Sequence, residues 1–502
     1  MSGVPRIKWY KYRYLLVAGL LLNILLINYF FFDTSVSNLV ALGDDLIDHG
    51  SEYFDSKITS QSSVAPIQQP PHSTTQIGGP SKPQKNKLPK IKAGPPVVPP
   101  PPADPELFNL KDLDFNGKYI GWPLERVCNE TKYQPGLVFM CDNNSGGVGN
   151  IRNFILTCVR YAIDAGATGI ILPKIQRRSE ANLANIFTTS LQPFDYFFDE
   201  EHFRYALGTH CPQMIIYNEI ADIPNSQNKT EIKEFYPKDL NNPDGGDPRG
   251  RNRHLDMFRT KFDKWLSGTN RAPKVETPVT IRFKWATFFE WSAYRDGPEF
   301  AATFGDILRI RKDIAELAAV TLTEMSKFAG FDPYAEEIPT LKAPYLGIHL
   351  RTESDALDIW PDFHTQTSGY LEAANNTNLK YAYLACGNAT ESKKFADEAW
   401  SQLELKVASK LDLLKGDDLN RLQALSWDQQ ALIDFLVLSK STHFTGCSFS
   451  SFTMNIAYKR HLMTGGIMTR QWKSPGDAYS TLVGRFSKWW GDWMFMYECM
   501  WP

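Results

Sequence analysis

The sequence predicts an α/β fold with two Rossmann-like, doubly wound lobes, a cleft between the lobes, and a membrane-spanning helix at the N-terminus. Twice along the 502 residues, a short apolar strand is followed by a turn and then by a helix with apolar residues at helical spacing. Such alternation is typical of parallel sheets covered by helices. Near the N-terminus, Tyr14–Phe32 is a run of 19 residues without a formal charge, about long enough to cross the apolar core of a bilayer.

The composition narrows the class of protein. With 43% hydrophobic and 22% charged residues, the chain can bury a large core, and its length suits about three domains. The net charge is −2. Proteins that bind nucleic acid usually carry a positive excess, because their affinity comes from neutralising phosphates. The composition therefore gives no reason to expect nucleic acid as a partner.

The residues around the apolar run predict its orientation. Four cations precede the run, and Asp33 follows it. The positive-inside rule then predicts a single-pass type II topology, with a cytosolic tail at 1–13, an anchor at 14–32 and the rest of the chain in the lumen. The alternative is a cleaved signal peptide, whose apolar region is shorter and ends in small residues. This run ends in three phenylalanines, which favours an anchor.

Sequons and cysteines agree with a body in the lumen of the Golgi or endoplasmic reticulum. Five Asn-x-Ser/Thr triplets stand downstream, at Asn129, Asn143, Asn228, Asn375 and Asn388. All seven cysteines follow residue 127, which fits an oxidising compartment. Cys128 and Cys141 bracket a loop short enough for a disulfide, and at least one cysteine is expected to stay outside any intramolecular pair. The connectivity is left open, because sequence alone does not fix it.

Residues 33–105 are predicted to form a stem between the anchor and the body. From about residue 51 this segment is rich in Ser, Gln, Lys and Pro. It has too little apolar surface to fold, and its prolines keep the backbone extended. The body is predicted to contain an N-terminal lobe at 106–335 and a C-terminal lobe at 336–502. The polar stretch 206–274 shows no clear period, so its elements are not assigned.

Hydrophobic periodicity predicts the elements of each lobe. The first lobe opens with a strand, a turn-rich loop, a helix that ends at a glycine, and a second strand: Gly136–Cys141, Asp142–Gly149, Ile151–Gly166 and Thr168–Leu172. A helical stretch then precedes the second lobe, at Gly305–Gly330. The second lobe has three predicted strands, Tyr345–Leu350, Tyr381–Cys386 and His443–Gly446, and three predicted helices, Glu391–Leu403, Trp427–Ser439 and Ser450–Arg460.

Arg351 is the strongest candidate for chemistry. It directly follows a predicted parallel strand, where side chains reach the ligand crevice of a doubly wound sheet. A guanidinium can bind phosphate in a bidentate manner and keeps its charge. The alternative is a structural ion pair with Glu353 or Asp355. Side-chain chemistry alone does not separate the two interpretations.

Three motifs resemble those of the GDP-fucose protein O-fucosyltransferase superfamily, in the order of that family. The first is Gly146-Gly-Val-Gly-Asn-Ile-Arg152, which resembles the family's N-terminal Gly-x-x-Gly-Asn loop. The second is His349-Leu-Arg351, followed by Glu353 and Asp355, which resembles the His-x-Arg signature. The third is Asp434 with the later run Phe444-Thr-Gly-Cys-Ser-Phe-Ser-Ser-Phe452. The resemblance spans roughly residues 136–460.

This resemblance implies a two-lobed GT-B fold and an inverting fucosyltransferase. GDP-fucose would be the donor, with no required metal or other cofactor, and the acceptor would be a hydroxyl of a protein or glycan. The first lobe would bind the acceptor and the second the nucleotide sugar. Arg351 and Asn150 are implied as catalytic residues. The implied donor-binding residues are Gly149, His349, Arg351, Asp434, Ser450, Ser451 and Phe452.

The resemblance also gives these residues roles. Arg351 would hold the β-phosphate as negative charge develops on the departing GDP, and His349 would lie beside the nucleotide. Ser450, Ser451 and Phe452 would surround the phosphates at a helix start, although Ser450 is also suited to be a plain N-cap. Asn150 would lie where acceptor and donor meet.

Gly149 is expected to allow a close approach within the site. Asp434 lies in an otherwise apolar helix, where an unpaired carboxylate is costly. It is expected to bond backbone or nucleotide, or to face solvent at the end of an element.

The sequence also departs from the family pattern. Gly387-Asn388 stands where some relatives have acidic residues, and no acidic residue lies in the Gly146–Arg152 loop. No general base is therefore named, and Glu353 and Asp355 are candidates for positioning. An alternative function is a catalytically inactive, membrane-tethered glycan-binding protein of the same fold. A dinucleotide-binding loop is excluded, because Arg152 stands where the last glycine of Gly-x-Gly-x-x-Gly is needed.

Overall fold

A computed structural model describes most of the chain beyond residue 114. The described residues are 115–183, 185–186, 190–228, 232–240, 257–269, 272–284, 291–332, 343–353, 360–448, 450–463, 476–484 and 499–502. The chain divides into two units, Met1–Pro102 and Ala103–Pro502, and all described residues belong to the second. The predicted tail, anchor and stem lie outside the described residues. Within the described ranges, no helix is long and apolar enough to cross a membrane.

The first half of the body contains a parallel sheet of five strands in the order β5-β2-β1-β7-β6. Its strands are β1 Gln134–Met140, β2 Ala167–Ile171, β5 Ile215–Tyr217, β6 Lys233–Phe235 and β7 Val279–Phe283. A two-stranded antiparallel hairpin, β3 Ile175–Gln176 and β4 Leu191–Gln192, stands apart from it. The helices of the first half are α1 Trp122–Glu130, α2 Val148–Ala165, α3 Glu200–His210, α4 Phe258–Gly268, α5 Pro298–Thr303 and α6 Lys312–Ala329.

The second half repeats this architecture with the strand order β10-β9-β8-β11-β12, again all parallel. Its strands are β8 Ala343–His349, β9 Tyr381–Ala385, β10 Lys406–Ala408, β11 Ser441–Cys447 and β12 Ser480–Val483. Its helices are α7 Phe363–Thr377, α8 Ala389–Leu403, α9 Lys410–Leu413, α10 Gly416–Ala424, α11 Trp427–Ser439 and α12 Ser451–Met463. The chain reverses direction across the sheet between β8 and β11, which is where doubly wound sheets bind ligands.

The α/β prediction is confirmed, and so are the predicted strands and helices of both halves. Helix α2 ends at Gly166, whose φ of 75° is the left-handed conformation that favours glycine at a helix end. Helix α11 has the predicted bounds. In the unassigned stretch, β5 and β6 have only three residues each, which is too short to show a period of two.

The structure has two disulfides, where the sequence left the connectivity open. Cys128 does not pair with Cys141. Instead it bonds Cys211, and Cys141 bonds Cys158. The reason is that Cys141 directly follows β1 and lies under α2, whereas Cys128 in α1 lies against the end of α3. Three cysteines, at 386, 447 and 499, remain outside any disulfide.

Helix α2 connects distant parts of the body through Arg152, which is 6% exposed. Its guanidinium donates to the carbonyl oxygens of Trp501 (2.6 Å) and Gly305 (2.9 Å) and to Asn455 Oδ1 on α12 (3.4 Å). The Trp501 ring packs against Phe304, with the ring centres 4.8 Å apart. The start of α2 is therefore fixed from both halves of the body.

Candidate functional site

A cavity of about 260 Å³ lies at the carboxyl ends of the second sheet and is closed on its other side by the glycine loop of the first half. All eight residues that the sequence analysis proposed as site residues line it: Gly149, Asn150, His349, Arg351, Asp434, Ser450, Ser451 and Phe452. These residues come from β8, α2, α11 and α12 and the turns beside them, so the fold brings together motifs that are about 300 residues apart.

Arg351 combines both interpretations that the sequence left open. The residue lines the cavity and is 7% exposed, and its Nη1 forms an ion pair with Glu353 Oε2. Glu353 Oε1 also accepts a hydrogen bond from the Gly387 amide at 2.9 Å. The Arg351 backbone is held by Gln366, which accepts from the Arg351 amide (3.0 Å) and donates to its carbonyl oxygen (2.8 Å). Glu353 therefore holds the guanidinium, and Gln366 holds the backbone that carries it.

His349 adds a neutral imidazole beside this cation. Burial and the positive charges of Arg351 and Lys410 lower the pKa of His349 to about 3. Its Nδ1 lies 2.6 Å from Thr453 Oγ1, and its ring centre lies 4.7 Å from that of Phe452. At physiological pH the ring adds no charge to the cavity and can offer one donor and one acceptor.

The two halves of the body meet backbone to backbone at Gly149. A Cβ atom at this position would lie 2.6 Å from the Ser451 carbonyl carbon and 2.7 Å from the Phe452 amide nitrogen. Asn455 Nδ2 closes the same junction by donating to the carbonyl oxygens of Ser451 (2.8 Å) and Gly149 (3.4 Å). The expected close approach is therefore between α2 and the start of α12.

The start of α12 lies at the switch point of the second sheet. Ser450 Oγ accepts from the Thr453 amide at 3.5 Å, the geometry of an N-cap. Ser450 also lines the cavity, as do Ser451 and Phe452. Because the positive end of the helix dipole and unpaired amides stand at a helix start, this turn is suited to bind an anion. The two interpretations of Ser450 are compatible.

Asp434 is paired with side chains of other elements, and its expected bond to nucleotide stays a prediction. Its Oδ2 pairs with Lys410 Nζ at 2.6 Å, and its Oδ1 accepts from the Tyr383 hydroxyl at 2.7 Å. The carboxylate is therefore neither bonded to backbone nor exposed. The sequence did signal a partner, since a lone carboxylate in an apolar helix needs one, but it did not show which cation would supply it.

Four further residues line the cavity that sequence reasoning missed: Arg178, Lys410, Trp427 and Asp428. The Arg178 guanidinium lies 5.8 Å from the Trp427 ring centre. Asp428 Oδ1 accepts from the Tyr196 hydroxyl of the first half at 2.8 Å. Both contacts join the first half of the body to the second half beside the cavity. In the part of the chain that the structure describes, which leaves out Asp355, no group of three or more His, Cys, Asp or Glu side chains could hold a metal ion.

Comparison with known protein families shows the family to which the chain belongs. The GDP-fucose protein O-fucosyltransferase family matches residues 137–463, a range that includes all eight proposed site residues. The chain belongs to this family. It is a GDP-fucose-dependent fucosyltransferase, which favours the enzymatic interpretation over that of an inactive glycan-binding protein. A search of curated proteins finds no match.

Solved fucosyltransferases resemble this family member in structure. POFUT1 in complex with GDP-fucose is 14% identical, with a TM-score of 0.42 over 70% of this chain and 100% of its own. A mutant of Arabidopsis thaliana FUT1 in complex with GDP is 10% identical, with a TM-score of 0.33 over 67% and 71%. NodZ from Bradyrhizobium is 14% identical, with a TM-score of 0.32 over 64% and 90%.

Gly149→Ala tests the contact between the halves of this fucosyltransferase. The added methyl group would overlap the α12 backbone, so we expect stability to fall by about 1–3 kcal/mol and transfer of fucose to fall with it. Gly208→Ala is the matched control, since nothing lies within 4 Å of its Cβ position in α3. That change should leave transfer unchanged and stabilise slightly. Denaturant unfolding and a transfer assay measure both effects. Equal behaviour of the two variants would contradict the close approach.

Proposed function

We propose that the protein is a GT-B fucosyltransferase that binds GDP-fucose in this cavity and transfers fucose, with inversion, to a hydroxyl of a protein or glycan. The observation that carries the proposal is the convergence of the family's three motifs on one cavity, with a fixed guanidinium and a helix start side by side. Both features bind anions. A nucleoside diphosphate supplies an anion that can contact both.

In this proposal, residues at the start of α12 and the residue that follows β8 contact different oxygens of the diphosphate. Ser450, Ser451 and Phe452 bind phosphate oxygens with hydroxyl groups and helix-start amides. Arg351 binds the β-phosphate, and Glu353 holds the guanidinium in place through its second bond to Gly387. His349 lies beside the nucleotide as a neutral group. Because the donor oxygens are fixed before the reaction, little reorganisation is needed as charge develops.

The transfer step breaks the bond between the sugar C1 and the β-phosphate oxygen and forms a bond from C1 to the acceptor oxygen. GDP leaves with the bonding electrons, and the acceptor hydroxyl loses its proton to solvent as the new bond forms. Arg351 stabilises the growing negative charge of the departing GDP. Asn150, on α2 of the first half, lines the cavity, where its amide can orient the acceptor. Attack from the face opposite the leaving group inverts C1, so nuclear magnetic resonance of the product should show the anomer opposite to that of the donor. A retained configuration would contradict this step.

Substitution of Arg351 tests the proposed role in leaving-group stabilisation. Arg351→Ala removes the charge, and Arg351→Lys keeps the charge but loses the planar pair of donors. By analogy with the loss of one oxyanion donor, both should lower turnover by about 10²-fold or more. Affinity for the donor should fall less, since the guanidinium binds the transition state better than the ground state. Transfer, or donor hydrolysis, is measured beside thermal melting.

Lys393→Met is a suitable control for the Arg351 variants. Lys393 is an exposed cation on α8 that pairs with Asp397, so its loss changes the net charge without touching the cavity. Its turnover should equal that of wild type. An Arg351→Ala protein that melts like wild type and transfers fucose at the wild-type rate would show that this motif has no catalytic role.

We propose that the reaction needs no metal ion or other cofactor. The support is that Arg351 and the α12 start can compensate the diphosphate charge. Activity should therefore persist in excess chelator, measured as fucose transfer before and after dialysis against EDTA. Loss of turnover that manganese restores would show that an ion stabilises the leaving group instead.

We propose that the protein is a single-pass type II membrane protein with its body in the lumen of the Golgi or endoplasmic reticulum. The support is the apolar run at 14–32 with its basic flank and the exposed sequon residues Asn129 and Asn375. Glycosidase treatment of protein made in a eukaryotic host should lower its apparent mass. An unchanged mass, together with protease access to the body in sealed microsomes, would contradict this topology.

A further inference from the structure

Lys410 is a buried cation whose place in the cavity neither the motifs nor the proposed roles explain. It begins α9, one residue after the serine that follows β10, and its Nζ lies 2.6 Å from Asp434 Oδ2. The two side chains are only 11% and 7% exposed. Burying an ion pair costs desolvation energy that the attraction often fails to offset. Packing alone is therefore a poor reason for such a pair to line a cavity.

The strand order shows which part of a nucleotide would lie near this pair. Arg351 and the α12 start flank the switch point between β8 and β11, where phosphates bind. In doubly wound sheets the ribose is bound after the second strand, which corresponds to β9 here. Strand β10 is the third, roughly 10 Å from β8 at ordinary strand spacing. A base attached to that ribose extends toward β10, where Lys410 stands.

The pair can still bond a ligand. An ammonium has three N–H donors, and Lys410 gives one to Asp434. A carboxylate accepts about four hydrogen bonds, and Lys410 and Tyr383 take one position each. A donor and an acceptor therefore stand side by side on the cavity wall. Guanine has the complementary edge, with the O6 acceptor next to the N1–H and N2–H donors, whereas adenine carries an amine in place of O6.

We propose that Lys410 is a further specificity residue, which donates to the O6 oxygen of guanine beside Asp434, a residue that the resemblance already implies as donor-binding. This inference rests on the proposed binding of GDP-fucose in the cavity. It assigns recognition of O6 to the start of α9. The Gly387 amide has a separate role, since it donates to Glu353.

The competing role for Lys410 is a general cation for the diphosphate, and a nucleotide series separates the two. The dissociation constants of GDP, IDP and ADP are measured by calorimetry on the full-length protein. IDP keeps O6 but lacks the N2 amine, and ADP lacks O6. We expect wild type to prefer GDP, then IDP, then ADP. Lys410→Met should weaken GDP and IDP by about tenfold or more, the effect of losing one good base contact, and leave ADP unchanged.

Two further variants keep the test decisive. Lys410→Met leaves the Asp434 carboxylate without its cation, which can unfold a buried site. The double variant Lys410→Met/Asp434→Asn removes both charges, and it should bind GDP and ADP with similar affinity while melting close to wild type. Arg351→Met should weaken all three nucleotides by the same factor, since they share the diphosphate.

The outcomes are distinct. If Lys410→Met weakens GDP, IDP and ADP equally, the ammonium binds phosphate and the assignment is wrong. It is also wrong if a folded Lys410→Met protein, or the double variant, keeps the wild-type preference for GDP. If wild type itself binds none of the three nucleotides, the proposed donor site is wrong, and the role of Lys410 that rests on it is wrong too.

Discussion

The contact between the starts of α2 and α12 is the constraint on which the site depends. Gly149 and the Ser451–Phe452 backbone touch without room for a methyl group, so each half of the body determines where the other half's ligand groups stand. Arg152, three residues further along α2, fixes the same helix to Asn455 and to the carbonyl oxygens of Gly305 and Trp501. Because these bonds are buried, moving α2 by a small amount would leave charged donors without acceptors, which costs several kcal/mol.

Two buried ion pairs balance the charge in the cavity. Arg351 pairs with Glu353, Lys410 pairs with Asp434, and His349 is kept neutral by its burial and by the nearby cations. Lys410 and Tyr383 occupy only part of the hydrogen-bonding capacity of the Asp434 carboxylate. In the proposed complex, the cavity therefore accepts a dianionic diphosphate at one end and a neutral base at the other without breaking either pair.

The sequence predicted what local patterns determine. The glycine loop, the strand that ends before Arg351 and the serine-rich start of α12 each belong to one short segment, and each was found where the pattern indicated. The sequence could not predict contacts between residues that are far apart along the chain. Cys128 bonds a cysteine 83 residues away, and Lys410 meets Asp434 only because α9 and α11 both lie at the carboxyl edge of the second sheet. The three-residue strands of the first sheet carry no periodicity to detect.

The Cys141–Cys158 bond reduces the conformational entropy of the glycine loop before any ligand binds. Cys141 directly precedes the loop that leads to Gly149, and Cys158 lies on α2 beyond it, so the loop belongs to a covalent ring closed across 17 positions. For rings of this size the chain-entropy account gives about 3 kcal/mol. That ordering is completed once, when the protein is oxidised, rather than at each encounter with a substrate. With the bond formed, the loop therefore has less conformational freedom left to lose when a ligand binds.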